Sequence, residues 1–430
     1  MNKLSLEPYK GTRDFYPHDR FIQNYIFSIW KKVAESYGYV NYDASILEET
    51  ELYKAKSGEE IIKEQTYSFT DRGGREVTIR PEMTPTVARM VAQKRRELVF
   101  PLRWYSIPNL FRYERPQRGR LREHWQLNVD IFGVDSIYAD VELIRMAFDI
   151  MLAFGANPET FEIRVNNRKL INYLLKHYLQ LGGDHVHAAS QLIDRRHKMS
   201  GEEFSAQAHE LLGEKAKDLI EVLLIKSLDE LGDRVPHDQG AKELDDVLSA
   251  LKTAGVSNVI FDPTLMRGFD YYTGTVFEVF DVSPLNNRSL FGGGRYDDLV
   301  GLFEVEKVTG AGFGMGDVTI RDFLETYSLL PEYKPITDLY IAPFDSSALE
   351  FSGSLATQLR AEGLNVAVDY TDRKIAAKVK TADKEKIPWV LVIGEQEMNS
   401  GKYKLKNLKE SKEYEVSAKE IIHLIKTART

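Results

Sequence analysis

Apolar side chains return at Phe21, Ile22, Tyr25, Ile26, Ile29, Trp30, Val33 and Tyr37, the spacing of one helical face, and Gly38 supplies a stop. The period then shortens. Residues 40–48 predict a strand, and 67–70 with 76–80 predict a hairpin around Asp71-Arg72-Gly73-Gly74, whose turn has the residues needed for positive φ. A helix is expected from there to about residue 97, with Thr84 a suitable N-cap and Pro85 a suitable first residue. Residues 102–133 read as two antiparallel strands joined by a loop. On the outgoing strand Phe111 and Tyr113 share a face opposite Arg112 and Glu114. On the return strand Leu127, Val129 and Ile131 oppose Gln126, Asn128 and Asp130. A ligand lying on a sheet would account for that polar face, and so would a hairpin with one solvated side.

Further along, residues 138–154 predict a helix and 161–166 a strand. The stretch 170–251 is largely helical, broken at Gly182-Gly183 and Val235-Pro236, and its amphipathic part 202–231 reads as a helical insertion spanning about 170–255. Strand signals return over 266–280, followed by a glycine-rich turn into a helix at 291–297. Gly310, Gly312, Gly314 and Gly316 then fall at every second position, which on a strand bares one face for a flat group or another backbone. Pro331 and Pro335 bracket a tether. Beyond it strands and helices alternate as in a small α/β domain, giving expected domains of 1–330 and 336–430.

A length of 430 residues exceeds what one core supports, in keeping with that division. The absence of Cys excludes disulfides and thiolate metal sites. No apolar run approaches a membrane span and the start lacks a signal-peptide plan, so a soluble cytoplasmic protein without membrane contact is expected. His185 and His187, without nearby carboxylates other than Asp184, read as surface residues, and no metal site is assigned. Formal net charge is −8, so nucleic-acid contact has to be local. Two places offer it. Six Arg and no Lys lie between Arg103 and Arg122, favouring planar contact with phosphate or carboxylate. Basic residues also cluster over 373–412, either a solvated lysine face or an RNA-contacting surface. No glycine run has P-loop or dinucleotide spacing, so a nucleotide site would be of another type.

Phe111-Arg112-Tyr113-Glu114-Arg115-Pro116-Gln117 and Arg267-Gly268-Phe269-Asp270-Tyr271-Tyr272 together resemble signatures of the class II aminoacyl-tRNA synthetases, specifically the histidyl-tRNA synthetase family. The resemblance covers nearly the whole chain. It implies an α+β fold: an antiparallel-sheet catalytic core with a helical insertion, then an α/β anticodon-binding domain. The implied reaction joins histidine to ATP, releasing pyrophosphate, and then passes histidine to its tRNA, with Mg²⁺ arriving on ATP and the chain working as a homodimer. By resemblance Arg112 and Arg267 hold the α-phosphate. Glu82, Thr84 and Gln126 hold the ammonium and carboxylate of histidine. Asp130 and Tyr272 grip the imidazole nitrogens, with Tyr271, Tyr296 and Arg295 nearby. Glu114 and Gly314 serve ATP, and Gln117, Arg118 and Arg120 meet the tRNA acceptor end. A related alternative is the non-catalytic, histidine-sensing regulatory subunit of ATP phosphoribosyltransferase.

Two departures stand out. The family's third motif usually ends in an arginine over the nucleotide, and here Thr319 stands in that place. Arg321, two residues later, is about 200° round a helix and a poor substitute. Ser45 replaces the usual proline of the first motif, which weakens inference about the dimer interface.

Overall fold

The structure, a computed structural model, describes residues 4–54, 65–236, 238–266, 271–286 and 288–429, so Arg267-Gly268-Phe269-Asp270 lies outside the described residues. The chain divides into two compact units, Met1–Pro331 and Glu332–Thr430.

Among the described residues the first unit carries β1 (Val40–Asn41), β2 (Leu47–Glu49), β3 (Tyr67–Thr70), β4 (Glu76–Ile79), β5 (Leu102–Ser106), β6 (Asn109–Phe111), β7 (Glu123–Phe132), β8 (Phe161–Asn167), β9 (Val259–Phe261), β10 (Thr275–Asp281), β11 (Ser289–Arg295) and β12 (Gly310–Gly316). Nine of these form one sheet in the order β1-β5-β7-β12-β11-β10-β8-β9, with β6 pairing on β7. Its pairings are antiparallel except β1 with β5 and β8 with β9. The order is not sequential. It brings β7, which carries the polar face, beside the glycine strand β12.

Alternation then sorts the two faces. Leu127, Val129 and Ile131 of β7 and Ala311, Phe313 and Met315 of β12 enter one apolar core with the helices Pro17–Ser36, Ile137–Ala153 and Asp317–Thr326. The helix Ile137–Ala153 starts where the Ser136 hydroxyl accepts from the Tyr138 amide at 3.3 Å. It buries Ile144, Met146, Ile150 and Met151 completely, each contributing ~1.5–3 kcal/mol. The opposite face of the sheet is left for the site. Between β8 and β9 the chain runs through helices that include Gly183–Arg195, Gly201–Leu212, Lys215–Leu223 and Gln239–Thr253.

Three local expectations change. The strand expected over 40–48 is two short strands, because the Arg80 guanidinium donates to Ala44 O (2.8 Å) and Asp43 Oδ1 (3.2 Å) and holds the chain between them out of any ladder. Residues 289–295 form a strand rather than a turn into a helix. The glycines are needed there for close backbone approach: a Cβ on Gly293 would sit 2.0 Å from Gly312 O, and one on Gly292 2.4 Å from Phe277 O. Finally, Met83 is the N-cap of the helix Thr84–Lys94 and no side chain caps it, so Thr84 is already helical.

The second unit carries β13 (Leu339–Pro343), β14 (Val366–Val368), β15 (Trp389–Ile393), β16 (Tyr403–Asn407) and β17 (Lys412–Val416) in the order β14-β13-β15-β16-β17. The first three are parallel and the last pairings antiparallel. Leu339, Ile341, Leu355, Leu391, Leu405, Ile421 and Ile425 form its core.

Candidate active site

The polar face of β7 lays out a line of side chains. Gln126 and Asn128 open into a cavity walled by Glu82, Thr84 and Arg112, by Tyr271, Tyr272 and Tyr296, and floored by Gly292, Gly312 and Gly314. The Tyr271 hydroxyl donates to Glu82 Oε2 at 3.3 Å, and the Tyr271 and Tyr272 rings lie 4.8 Å apart. The bare face of β12 is approached by a backbone, Val129 O lying 2.5 Å from where a Cβ on Gly312 would be, and by side chains as well. A Cβ on Gly314 would lie 2.0 Å from Gln126 Nε2, and one on Gly312 would lie 2.6 Å from Asp130 Oδ1 and 2.7 Å from the Tyr296 hydroxyl. The glycines let Gln126, Asp130 and Tyr296 lie flat across the strand.

Asp130 sits under this cavity instead of lining it. Its Oδ1 accepts from the Tyr296 hydroxyl, while Oδ2 is buried without a hydrogen-bond partner among the described residues. Burial pushes its carboxyl up to about 7, against the Tyr296 hydroxyl, which favours ionisation. An acid raised in the fold is most stabilising below its unfolded value near 4, and that stability is lost as pH rises through about 7. Asp130→Asn, which cannot ionise, should therefore gain stability relative to the parent between pH 5 and pH 8 in the absence of ligand. Urea unfolding at both pH values checks this, and an equal difference at the two would refute it.

Arg112 borders a second cavity as well, lined further by Glu114, Gly119, Arg120, His124, Val318 and Thr319. Its place is fixed by Arg112 N donating to Arg122 O (2.8 Å) and Nε donating to Pro81 O (2.9 Å). Arg120 pairs with the buried Glu114 at 2.5 Å. Other arginines of the run are committed to the fold. Arg103 forks onto Glu142 at 2.9 and 3.0 Å, and Arg122 donates to Glu114 O while stacking 3.9 Å from the Tyr113 ring centroid. Gln117 and Arg120 exchange backbone bonds of 2.9 Å across a tight turn at Gly119, and Arg118 reaches Asn286 (3.1 Å) and Thr326 (3.2 Å).

His124 belongs to this site and was not singled out from sequence, although it continues the alternation of 126, 128 and 130. Burial, with Arg112 and Arg13 adding to it, pushes its imidazole down to about 3, so it is neutral. Arg295, expected close to the ligand, turns instead to the helical side. It donates to Asp140 Oδ2 (2.6 Å), Ser136 O (2.7 Å) and Val134 O (3.1 Å), because its neighbour Tyr296 takes the cavity side. At the start of the helix Asp317–Thr326, Asp317 accepts from Trp125 N (2.9 Å) and Arg13 (2.7 Å), tying that helix to β7. Arg321 pairs with Asp19 (3.1 Å) and Glu325 (3.0 Å) and borders neither cavity.

Two cavities thus meet at one arginine. Residues 11–317 match the family model for histidyl-tRNA synthetase, and residues 338–428 match that of an anticodon binding domain. The chain belongs to the histidyl-tRNA synthetase family. A histidine–tRNA ligase of Leptospira biflexa is 44% identical over 99% of this chain and 98% of its own length. One from Thermoplasma volcanium is 37% identical, covering 94% of this chain and 95% of its own length. A solved histidyl-tRNA synthetase from a Nostoc species shares the fold with a TM-score of 0.82 at 24% identity, covering 99% of this chain and all of that one. As a histidyl-tRNA synthetase the chain has an antiparallel-rich central sheet and a separate second unit, the α+β architecture that the resemblance implied. No helix among the described residues of this synthetase is long and apolar enough to cross a membrane.

Proposed function

We propose that this chain is a histidine–tRNA ligase that activates histidine with ATP and then esterifies its tRNA. The observation that carries the reading is Arg112 standing at the junction of the two cavities. Histidine occupies the first, its ammonium beside Glu82, Thr84 and Gln126. A neutral imidazole needs one acceptor and one donor. The Tyr296 hydroxyl donates its hydrogen bond to Asp130, so its oxygen faces histidine as the acceptor, and Tyr272 is the partner for the other nitrogen. ATP occupies the second cavity, with Glu114 and His124 about it and its α-phosphate at Arg112, on the side where Gly314 floors the first cavity. A carboxylate oxygen of histidine attacks the α-phosphorus and pyrophosphate departs. The ribose hydroxyl at the tRNA 3′ end then attacks the histidyl carbonyl and AMP departs. Charge builds on the phosphorus oxygens in the first step, where a fixed guanidinium is most effective. Arg267 is assigned a second place at that phosphate from the sequence alone.

The exposed turn at Gln117 to Arg120 supports contact with the acceptor end, and the second unit, by its match to anticodon-binding domains, supports contact with the anticodon. Among the described residues no group of three or more His, Cys, Asp or Glu could hold a metal, and Glu114 is taken by Arg120. Mg²⁺ would arrive on the phosphates of ATP, held there mostly by phosphate oxygens and water, and would neutralise their charge. A homodimer is supported by the edge strand β1 and by the exposed Val40, Ile46 and Leu47 beside it. Sedimentation near the 49.3 kDa of one chain would remove that part. A cytoplasmic location fits the tRNA substrate.

The test is exchange of labelled pyrophosphate into ATP, expected to depend on added histidine. Histidine binding without exchange would favour the regulatory-subunit alternative, which the full-length likeness to ligases disfavours.

A further inference from the structure

Gly119 and Thr319 line both the nucleotide cavity and a neighbouring cleft bordered by Arg118, Asn286, Arg288 and Asp322. Thr319 stands at the border of the two. Its hydroxyl donates to Leu290 O at 2.6 Å, and its methyl lies 3.6 Å from where a Cβ on Gly119 would be, so a short side chain occupies this border. ATP brings about four negative charges to this space, and the described cations that border it are unequally committed. Arg120 is neutralised by Glu114, and Arg118 is held by Asn286 and Thr326 near Asp322; Arg321, outside the lining, is turned to Asp19. Arg288, just before the start of β11, is exposed and has neither ion pair nor hydrogen bond among the described residues.

We infer that Arg288 is a nucleotide-binding residue, its guanidinium serving the outer phosphates of the ATP whose α-phosphate lies at Arg112. The inference rests on the ATP reading above. The planar fork suits phosphate, and an exposed stem lets it meet the ligand without disturbing the core. Because Thr319 lines both this cleft and the nucleotide cavity, an arginine at position 319 would supply a cation to the same space.

The test is pyrophosphate exchange by the full chain, varying ATP at saturating histidine and histidine at saturating ATP. Arg288→Ala should raise KM for ATP about tenfold or more, the size of a lost charge-assisted contact, and leave KM for histidine within about twofold. KM for pyrophosphate in the reverse direction should rise in parallel. Arg321→Ala should change none of these. Combining Arg288→Ala with Thr319→Arg should restore ATP affinity, a rescue that a merely structural role for Arg288 would not give. An unchanged KM for ATP, or equal rises for ATP and histidine, would overturn the inference. So would a rise for ATP without one for pyrophosphate, which would put Arg288 against the base. Loss of histidine-dependent exchange in the parent would sink the functional reading itself, a distinct result.

Discussion

Arg112→Ala should lower the rate of histidine-dependent pyrophosphate exchange by about 10³-fold, roughly 4 kcal/mol of transition-state stabilisation, while histidine binding stays measurable. The size follows from where the guanidinium is held. Its backbone is bonded to Arg122 O and its Nε to Pro81 O, so it costs little to keep in place when charge appears between the cavities. Arg112→Lys should recover little, because a lysine cannot keep the Pro81 contact and present a fork to phosphate together. Single-turnover rates separate chemistry from binding. A normal rate with only a higher KM for ATP would show that Arg112 binds ATP and its transition state equally, and its catalytic assignment would fall.

The polar face that positions this arginine's neighbours was legible because the other face of β7 is core. Leu127, Val129 and Ile131 fix the register, since a slip of one residue would bury Gln126, Asn128 and Asp130 among helices. The same rule extends to His124, where the approach of Arg112 and Arg13 gives the imidazole its importance, and neither distance is written in local sequence. Glycines misled more readily. Three in a row at 292–294 have the local signal of a turn, and only the backbone of Gly312 and Phe277, brought alongside by the fold, makes them strand residues. The arginine run divided for a similar reason. Arg103 meets Glu142, 39 residues away, and Arg122 meets Tyr9 and Tyr113, so part of an apparent phosphate site is scaffold. The family motifs name Asp130 and Arg295 among the site residues, but which way each side chain turns, Asp130 to the Tyr296 hydroxyl and Arg295 to Asp140, is a distinction of direction that identity in a motif does not carry.

That direction makes Arg295→Ala a prediction about stability. Its guanidinium and the Asp140 carboxylate are both nearly buried, at 8% and 3% side-chain exposure. Removing one partner leaves the other charge without compensation, and strips donors from Ser136 O and Val134 O, for an expected loss of ~3–5 kcal/mol. The loss should depend on pH. Burial already pushes the Asp140 carboxyl up to about 6 while Arg295 pulls it down, so without the arginine burial acts unopposed and the carboxyl rises further. A raised acid loses stability as pH climbs, hence the deficit of Arg295→Ala should be larger at pH 8 than at pH 5 in urea unfolding. Adding Asp140→Asn should remove most of that pH dependence, because no buried charge then forms. If Arg295→Ala instead kept its stability and raised KM for histidine, the side chain would have to reach the ligand, and the division of the two sheet faces between scaffold and site would be wrong at this strand.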